Sequence, residues 1–273
     1  MNILKVEIRR AFTNRKFIIA LMIGIGISMA HIVFNIPDVI DKINMSKLYP
    51  KENVYVASSY AVWIGGNTYT AEVYLYYLIL PFLATLPFGS SFFDDRKSGA
   101  AKNLILKSGR GKYYGAKYIA TFLSGGFAVV FPLVLNLLVT MMFIPTILPE
   151  ATSGLFSIKG CAMLAELFYS KPLLHIALYM VIDFIAAGLI ATIALVMSFY
   201  TEYRFVVELA PMFIYVFIFS LFSLLGREYM QPDNFLMPSY MYSDSMIIFI
   251  ELFILGSVTI LLWAVKGNRY ENL

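Results

Sequence analysis

Six long apolar stretches constrain the fold of this chain more than any other feature of its sequence. Each contains 18 to 27 residues, and more polar segments of 6 to 38 residues separate them. A helix needs about 20 mostly apolar residues to cross the hydrocarbon core of a bilayer, and a spanning segment must satisfy its own backbone hydrogen bonds there. The stretches therefore predict six transmembrane helices, at about residues 17–34, 73–93, 118–144, 173–199, 206–225 and 246–265.

The composition also indicates a membrane protein. The chain is 60% hydrophobic and 14% charged, whereas soluble domains are roughly 45–50% apolar and about 25% charged. Its single cysteine, Cys161, excludes a disulfide within the chain and a zinc site built from cysteines. We expect an all-α polytopic membrane protein in which residues 1–273 form a single transmembrane domain.

Lys and Arg are distributed unevenly among the segments that connect the apolar stretches. The segments on the side of the two termini contain 15 of these residues, and those on the opposite side contain 6. Because cytoplasmic segments carry an excess of Lys and Arg, we expect a multi-pass membrane protein with both termini and residues 94–117 in the cytoplasm. Residues 35–72 and 145–172 are expected outside, and part of the first segment, which is rich in Tyr and contains Trp63, is expected on the outer leaflet.

The N-terminal segment, residues 1–16, has the pattern of an amphipathic helix. Leu4, Ile8 and Phe12 recur every four residues, while Lys5 and Arg9 lie off that face. A helix of this kind can lie along the cytoplasmic surface of a membrane, with its cations near anionic headgroups. The pattern therefore predicts an interfacial helix before the first span.

Two polar residues fall deep inside the predicted spans. Asn136 and Asp183 lie at depths that differ by about 3 Å, at ~1.5 Å per helical residue. We expect a hydrogen bond between them across adjacent helices; a role in lining a substrate path and a role in proton relay are the alternatives for an ionisable group at this depth. Glu208 and Glu251 lie near the ends of their spans, where we expect them to reach water.

The sequence contains no recognisable catalytic site or metal site. Residues 108–112 resemble a phosphate-binding loop, but Tyr113 follows Gly111 and Lys112 where a Ser or Thr is required, and Leu106 replaces the first Gly. The longest predicted cytoplasmic segment has 24 residues, which is too short for a nucleotide-binding domain. We expect no cofactor on this chain, with any ATP and Mg²⁺ bound by a partner.

The order of residue types within 94–117 is distinctive. It runs from an acid through Ser-Gly, a leucine-containing turn and a basic cluster to a lysine that enters the next apolar stretch. The matching residues are Asp94 or Asp95, Ser98, Gly99, Leu104, Leu106, Arg110, Tyr113 and Lys117. This order resembles the loop between the second and third spans of permease subunits in the bacterial type-2 ABC export family. Ala100 stands where that family usually has Thr, and residues 107–109 replace its Pro-containing segment.

The resemblance extends to the layout of the whole chain: a basic amphipathic helix, six spans, and a short Pro-rich external segment between the last two. It implies that residues 94–117 form a coupling helix that docks in a groove of a cytoplasmic ATPase subunit. The residues to which it gives this role are Asp94, Asp95, Arg96, Lys97, Ser98, Gly99, Lys102 and Leu104. Leu104, Ile105 and Leu106 would enter the groove, while Arg96, Lys97, Lys102 and Lys107 would pair with acids around it.

The function that follows from the resemblance is that of a membrane-spanning subunit of an ATP-driven exporter. Its partners would be cytoplasmic ABC ATPase subunits, a second permease copy or paralogue, and membrane lipids, with no nucleic acid. The substrate would be hydrophobic or amphipathic, such as a peptide (including antimicrobial peptides), a drug or a lipid. The chain would not itself be an enzyme. The alternatives are an ion-coupled secondary transporter that uses Asp183 and a membrane signalling or assembly protein without transport activity.

Overall fold

The computed structural model describes residues 2–49, 57–67, 70–150, 162–238 and 245–269, together with Phe156 and Ile158. Within these ranges all regular secondary structure is helical, which confirms the predicted all-α class. In chain order the α-helices are α1 (Ile3–Phe12), α2 (Arg15–Leu48), α3 (Ser59–Val62), α4 (Ala71–Thr85), α5 (Ser91–Lys97), α6 (Ala100–Ser108), α7 (Arg110–Phe143), α8 (Ala165–Ser170), α9 (Pro172–Met197), α10 (Arg204–Leu224), α11 (Pro232–Leu236) and α12 (Ser245–Arg269). A short 3₁₀ turn, Glu228–Met230, precedes α11.

Five helices in the described ranges are long and apolar enough to cross a membrane: α2, α7, α9, α10 and α12. They fit the prediction of a multi-pass membrane protein. The region of the second predicted span, residues 73–93, is different because its helix α4 stops at Thr85 after 15 residues. A straight helix of that length covers about 22 Å, less than the ~30 Å hydrocarbon core.

The end of α4 has a local cause. Pro87 has no backbone N–H with which to continue the helical hydrogen bonds. Gly89 then lies so close to α9 that an added Cβ would come within 2.9 Å of the Ala194 Cβ. The chain turns over residues 86–90, most of which are buried in the bundle, before α5 begins. The predicted continuous helix over 73–93 is therefore wrong.

Two other helices extend beyond their predicted ends. α2 continues 14 residues past position 34, because Ile36 and Val39 are still buried, against Val62 and Ile144. α7 begins at Arg110 rather than near residue 118. Parts of the predicted connecting segments 35–72 and 94–117 are therefore extensions of the membrane helices.

The centre of the bundle is built from α4, α7 and α9, which approach closely through small residues. A Cβ added to Gly125 would lie 2.7 Å from the Ala191 Cβ and 2.8 Å from the Ala84 carbonyl oxygen, and such residues allow close packing of membrane helices. In the most apolar part of α9, 61% of the residues are buried, compared with 22% in α10 and 17% in α12. α10 and α12 therefore lie at the periphery.

One end of the bundle is filled by residues 57–67. Trp63 and Ile64 are fully buried there in the same core cluster as Tyr76 and Tyr77 of α4. Gly65 is required beside the indole, since a Cβ at this position would come within 2.4 Å of the ring. The Trp63 ring therefore packs inside the protein and does not belong to the part of residues 35–72 that we expected on the outer leaflet.

Both ends of the described chain lie at the opposite end of the bundle. The Trp263 Nε1 of α12 donates a hydrogen bond to the Tyr114 carbonyl oxygen at 3.1 Å, and Ile3 of α1 belongs to the same buried cluster as both residues. α5, α6 and the first turns of α7 and α10 are also here, as their contacts below show. We call this region the basic end, because it collects Arg10, Lys16, Arg96, Lys117 and Arg204.

The helical periodicity predicted for the N-terminal segment is present in α1. The most buried face is Ile3, Glu7 and Ala11, however, rather than the apolar residues alone. Ile8 and Phe12 pack against a small buried cluster at the basic end. α1 is thus docked on the bundle by protein contacts on the face that was predicted to meet lipid.

Candidate functional site

A buried ion-paired network at the basic end connects α1, α5 and α7. The Lys117 Nζ lies 2.7 Å from the Glu7 Oε2 and 2.6 Å from the Asp95 Oδ2. Arg10 bridges the same two acids, with Nη1 2.8 Å from the Glu7 Oε1 and Nη2 2.7 Å from the Asp95 Oδ1. The Tyr113 hydroxyl donates a further hydrogen bond to the Asp95 Oδ2 at 2.8 Å. We call these five residues the Lys117 network.

Helical spacing explains how the Lys117 network forms. Tyr113 and Lys117 are four residues apart on α7 and therefore share one face, while Glu7 lies on the buried face of α1. The Lys117 and Glu7 side chains are completely buried and Asp95 is 3% exposed. Because buried charges are stable only when they are paired, the network holds α5 between α1 and α7.

The electrostatics of the Lys117 network favour charged side chains. Burial alone would raise the pKa of Asp95, but the hydrogen bond from Arg10 and the positive charge of Lys117 outweigh it and hold that pKa below its ordinary value. Burial would lower the pKa of Arg10, yet Asp95 and Glu7 raise it above its ordinary value. Asp95 is therefore ionised at neutral pH, and its ion pairs hold α5 in place.

A second set of polar contacts ties α5 and the preceding turn to α10. The Glu208 carboxylate pairs with Lys16 and accepts a hydrogen bond from the Ser90 hydroxyl at 2.8 Å. Arg204 lies 3.2 Å from both Glu208 and Asp94. Glu208, which we expected to reach water, is thus 19% exposed and ion-paired.

Arg96 adds another contact between α5 and the start of α10. Its Nη2 donates to the Thr201 carbonyl oxygen at 3.0 Å and pairs with the Glu202 carboxylate at 2.9 Å. Its guanidinium also lies over the Phe93 ring, 5.6 Å from the centroid. The Arg96 side chain is 8% exposed. α5 is therefore attached to α1, α7 and α10 by charged side chains.

The predicted ATPase-coupling residues fall into two groups. Asp95 and Arg96 face inward as described, Asp94 pairs with Arg204, and Leu104 packs against the buried cluster around Phe92. The remaining four, Lys97, Ser98, Gly99 and Lys102, are exposed. Gly99 has a φ of +72°, a left-handed conformation that favours glycine and allows the chain to turn from α5 into α6.

The exposed side of α6 contains Lys102, Asn103, Leu106 and Lys107, which we call the α6 face. Leu106 is 77% exposed, unlike its neighbours Leu104 and Ile105, which are partly buried. Three consecutive apolar residues in the sequence give no sign of which one faces outward. Of the three apolar residues that we expected in the groove, Leu106 is therefore the one that the structure exposes.

Asn136 and Asp183 do not meet. The Asn136 Oδ1 accepts a hydrogen bond from the Ile64 backbone N–H at 2.8 Å, and its Nδ2 donates to the Ser28 carbonyl oxygen at 2.8 Å. The predicted Asn136–Asp183 hydrogen bond is therefore wrong. The cause is the helix face: Asn136 points from α7 toward α2 and residues 57–67, whereas Asp183 neighbours Tyr77 of α4. Similar depth in the membrane does not make two side chains neighbours.

Asp183 belongs to a buried polar stripe along α9. His175, Tyr179 and Asp183 follow at four-residue spacing and are all fully buried. The Tyr77 hydroxyl is adjacent to the carboxyl of Asp183, yet among the described residues neither Asp183 oxygen has a hydrogen bond of good geometry. A carboxyl without a firm partner in a membrane core is costly to keep and marks a candidate functional group.

The described residues contain no group of three or more His, Cys, Asp or Glu side chains arranged to hold a metal ion. Comparison of the chain with protein-family models, with curated proteins and with solved structures gave no match. The functional assignment therefore rests on the arrangement of the residues described above.

Proposed function

We propose that this chain is the membrane-spanning subunit of an ATP-driven exporter in a bacterial plasma membrane. Cytoplasmic ABC ATPase subunits would bind and hydrolyse ATP with Mg²⁺, and a second permease copy or paralogue would complete the transporter within the lipid bilayer. The substrate would be hydrophobic or amphipathic, with peptides, drugs and lipids as the candidate classes.

The observation that carries this proposal is the construction of α5 and α6. α5 is attached to α1, α7 and α10 by the ion pairs of Asp95, Asp94 and Arg96. α6 follows it and exposes the α6 face. A protein that pushes on α6 would therefore act on three other helices through α5, since coupling between distant sites needs contiguous packed and charged contacts of this kind.

The chemistry of the α6 face is suited to a protein partner. Leu106 is an apolar side chain that is 77% exposed, and Lys102 and Lys107 lie beside it. An apolar anchor surrounded by polar residues is typical of protein interfaces, and two lysines favour an acidic groove on the partner. The proposal accordingly gives the anchoring role to Leu106, with Leu104 and Arg96 in internal contacts.

The topology that we propose has six crossings. Both ends of the described chain lie at the basic end, so the number of crossings must be even, and five helices are long enough on their own. α4 supplies the sixth, because it packs among α2, α7, α9 and α10. The turn at residues 86–90 and α5 continue it to the basic end, and irregular backbone at membrane depth is tolerated where protein covers it.

The proposed topology places the basic end in the cytoplasm. That orientation follows from the excess of Lys and Arg in its segments. It leaves the exposed Lys5 and Arg9 of α1 beside the cytoplasmic membrane surface, where anionic headgroups attract cations. In this orientation the α6 face is accessible to a cytoplasmic ATPase.

The experiment that tests the proposal is Leu106→Asp. The wild-type chain, affinity-purified in mild detergent from membranes of the organism that makes it, should carry Mg²⁺-dependent ATPase activity. Leu106→Asp should remove most of that activity from the purified sample, because a carboxylate on the α6 face would be buried against an apolar and acidic groove. The chain itself should remain inserted and folded, since Leu106 makes no buried contact.

Leu148→Asp provides the matched control, because Leu148 is also exposed, at 63%, but follows α7 at the other end of the bundle. It should leave the co-purified ATPase activity unchanged. A wild-type sample without ATPase activity, or equal activity in Leu106→Asp and the wild type, would overturn the coupling assignment.

A second candidate function is an ion-coupled carrier that uses Asp183. It is favoured by the surroundings of this buried carboxyl, which forms no well-aligned hydrogen bond with any described residue and could therefore bind and release a proton. In vesicles containing the purified chain alone, a carrier would transport substrate until a proton ionophore removed the gradient, and Asp183→Asn would be inactive but folded. Transport that needs ATP and survives the ionophore would exclude this candidate.

A further inference from the structure

A groove with an apolar wall opens between α10 and α12. Its floor is α9, through Ala186 and Ile190, and Pro232 and Leu236 close it at one end. Its volume is about 360 Å³, within the ~300–1,000 Å³ range of small-molecule sites in proteins. The groove is large enough for one hydrocarbon-bearing ligand.

Among the described residues that line this groove, Glu251 is the one with a charged side chain. The other lining residues on α12 are Leu252, Ile254, Leu255 and Val258, and those on α10 are likewise apolar or aromatic. Within the described ranges Glu251 forms no ion pair and no hydrogen bond through its side chain. A carboxylate beside hydrocarbon is costly unless a cation or a hydrogen-bond donor pairs with it.

The position of Glu251 along α12 suits an amphiphile. α12 starts at Ser245, at the end of the bundle that is remote from the basic end. Glu251 lies six residues, or about 9 Å, from this start. Val258 lies seven residues, or about 10 Å, farther toward the basic end. A headgroup at Glu251 would therefore be near the membrane surface, and its tail would run along the groove toward the membrane centre.

We propose that this groove binds an amphiphile with one cationic headgroup, held by Glu251, and one hydrocarbon tail, held between α10 and α12. Its identification as an export substrate rests on the proposed function, whereas its binding does not. Charge complementarity selects this occupant: a neutral lipid tail would fill the apolar wall and leave Glu251 without a cation, and so would an apolar face of a second copy.

The test is equilibrium binding of radiolabelled dodecylammonium to the purified full chain in lipid nanodiscs, with empty nanodiscs as background. Dodecanol and dodecyl sulfate, which have the same tail, are the neutral and anionic comparison ligands. Wild type should bind dodecylammonium at least about tenfold more tightly than either, and Glu251→Gln should remove that preference, a difference of ~1.4 kcal/mol. Dodecanol should bind the two proteins equally.

The tail site is tested separately with Leu252→Trp, which places a large ring in the groove and should abolish dodecylammonium binding. Leu261→Trp is its matched control, since Leu261 is on the same helix, is 63% exposed and does not line the groove. It should bind as wild type does.

Equal binding of dodecylammonium and dodecanol by wild type would overturn the proposal, because it would indicate a general lipid groove. An unchanged preference of Glu251→Gln for dodecylammonium would also overturn it. So would equal dodecylammonium binding by the two tryptophan variants. The purified chain is tested without an ATPase, so failure of the export proposal leaves this measurement intact. Conversely, if the ATPase co-purifies normally but the chain shows no preference for dodecylammonium, the proposed site at Glu251 would be rejected and the export proposal would stand.

Discussion

Asp95 and Asp183 are both buried, but they stand in opposite surroundings. Asp95, at the basic end, contacts Arg10, Lys117 and Tyr113 at 2.6 to 2.8 Å. Asp183, in the middle of α9, has only the neighbouring Tyr77 hydroxyl and no hydrogen bond of good geometry among the described residues. The Asp95 carboxylate therefore has several close ion-pair and hydrogen-bond partners, whereas the Asp183 carboxyl has almost none among the described residues.

The difference indicates that the charge of Asp95 has a structural role, whereas the Asp183 carboxyl can change its protonation without breaking an ion pair. Removing Asp95 or its partners would leave other buried charges uncompensated, so its surroundings fix the position of α5. No described charge depends on Asp183, so its protonation or replacement can occur without breaking an ion pair. The comparison therefore indicates that ion pairs hold α5 in place at the basic end, whereas no ion pair among the described residues fixes the Asp183 carboxyl.

The largest effect is expected from Lys117→Met, which removes the central cation of the Lys117 network. The substitution keeps the length and apolar contacts of the side chain but leaves Glu7 and Asp95 with Arg10 alone. Breaking a buried ion pair by removing one partner costs about 3–5 kcal/mol. We expect a decrease of that size in the free energy of unfolding, measured in mixed micelles of a denaturing and a mild detergent.

Lys112→Met is the control for this experiment. Lys112 is on the same helix and exposed, so its replacement should change the free energy of unfolding by less than about 0.5 kcal/mol. Similar stabilities of the two variants would show that Asp95 is not held by buried pairing, and the contrast with Asp183 would fail.

Acidification should also destabilise the Lys117 network, but by less than Lys117→Met does. The pKa of Asp95 is lower in the folded protein than its ordinary value, so the unfolded chain binds the proton more readily and stability rises with pH. This contribution is fully present above the ordinary Asp pKa of about 3.9 and is lost as the pH falls through the folded value. The melting temperature in detergent, measured from pH 7 to pH 3, should therefore decrease most steeply below about pH 4.

Asp95→Asn identifies the source of that decrease. The variant should be less stable than wild type at pH 7, and the two curves should approach each other below about pH 4. Asp94→Asn provides the comparison, because Asp94 is 43% exposed in its pair with Arg204, and exposed pairs contribute about 0–1 kcal/mol. A difference between wild type and Asp95→Asn that stays constant with pH would contradict the assignment.

The smallest effect, and one of opposite sign, is expected from Asp183→Val. Valine is close to aspartate in volume and removes a buried carboxyl whose hydrogen bonds are unmade. An unsatisfied buried polar group costs about 1–3 kcal/mol, so the free energy of unfolding should increase by about 1 kcal/mol in the same micelle assay.

Asp183→Asn keeps the polarity and shape of the side chain and should leave stability nearly unchanged. The Asn136 pairing predicted from sequence would instead make Asp183→Val destabilising by about 1–2 kcal/mol. A loss of that size would therefore show that Asp183 has a firm partner and that the two buried carboxylates are alike.

Much of the fold could be predicted from the sequence because membrane crossing depends on local composition. The apolar runs identify α2, α7, α9, α10 and α12, and the distribution of Lys and Arg correctly groups the segments that meet at the basic end. The break in α4 was only partly predictable: Pro87 is visible in the sequence, but the close approach of Gly89 to Ala194, more than 100 residues away in the chain, is not.

The side-chain partners could not be predicted in the same way. Depth along a helix follows from residue number, but the direction of a side chain depends on how each helix is rotated against its neighbours. Asn136 and Asp183 are therefore at similar depth without meeting. Lys117 was likewise assigned to a loop because it is a cation at the end of an apolar run, and only the docking of α1 reveals its partners.

The segment that carries Trp63 has a consequence for the route of any cargo. Trp63 and Ile64 occupy the interior between α4, α7 and α9, and the Ile64 amide is held by Asn136 at 2.8 Å. Among the described residues, side chains therefore fill the space between these three helices at the end remote from the basic end, which leaves no room for water between them there. If the chain is the exporter subunit proposed above, its cargo would therefore cross the membrane beside this packed core and not through it.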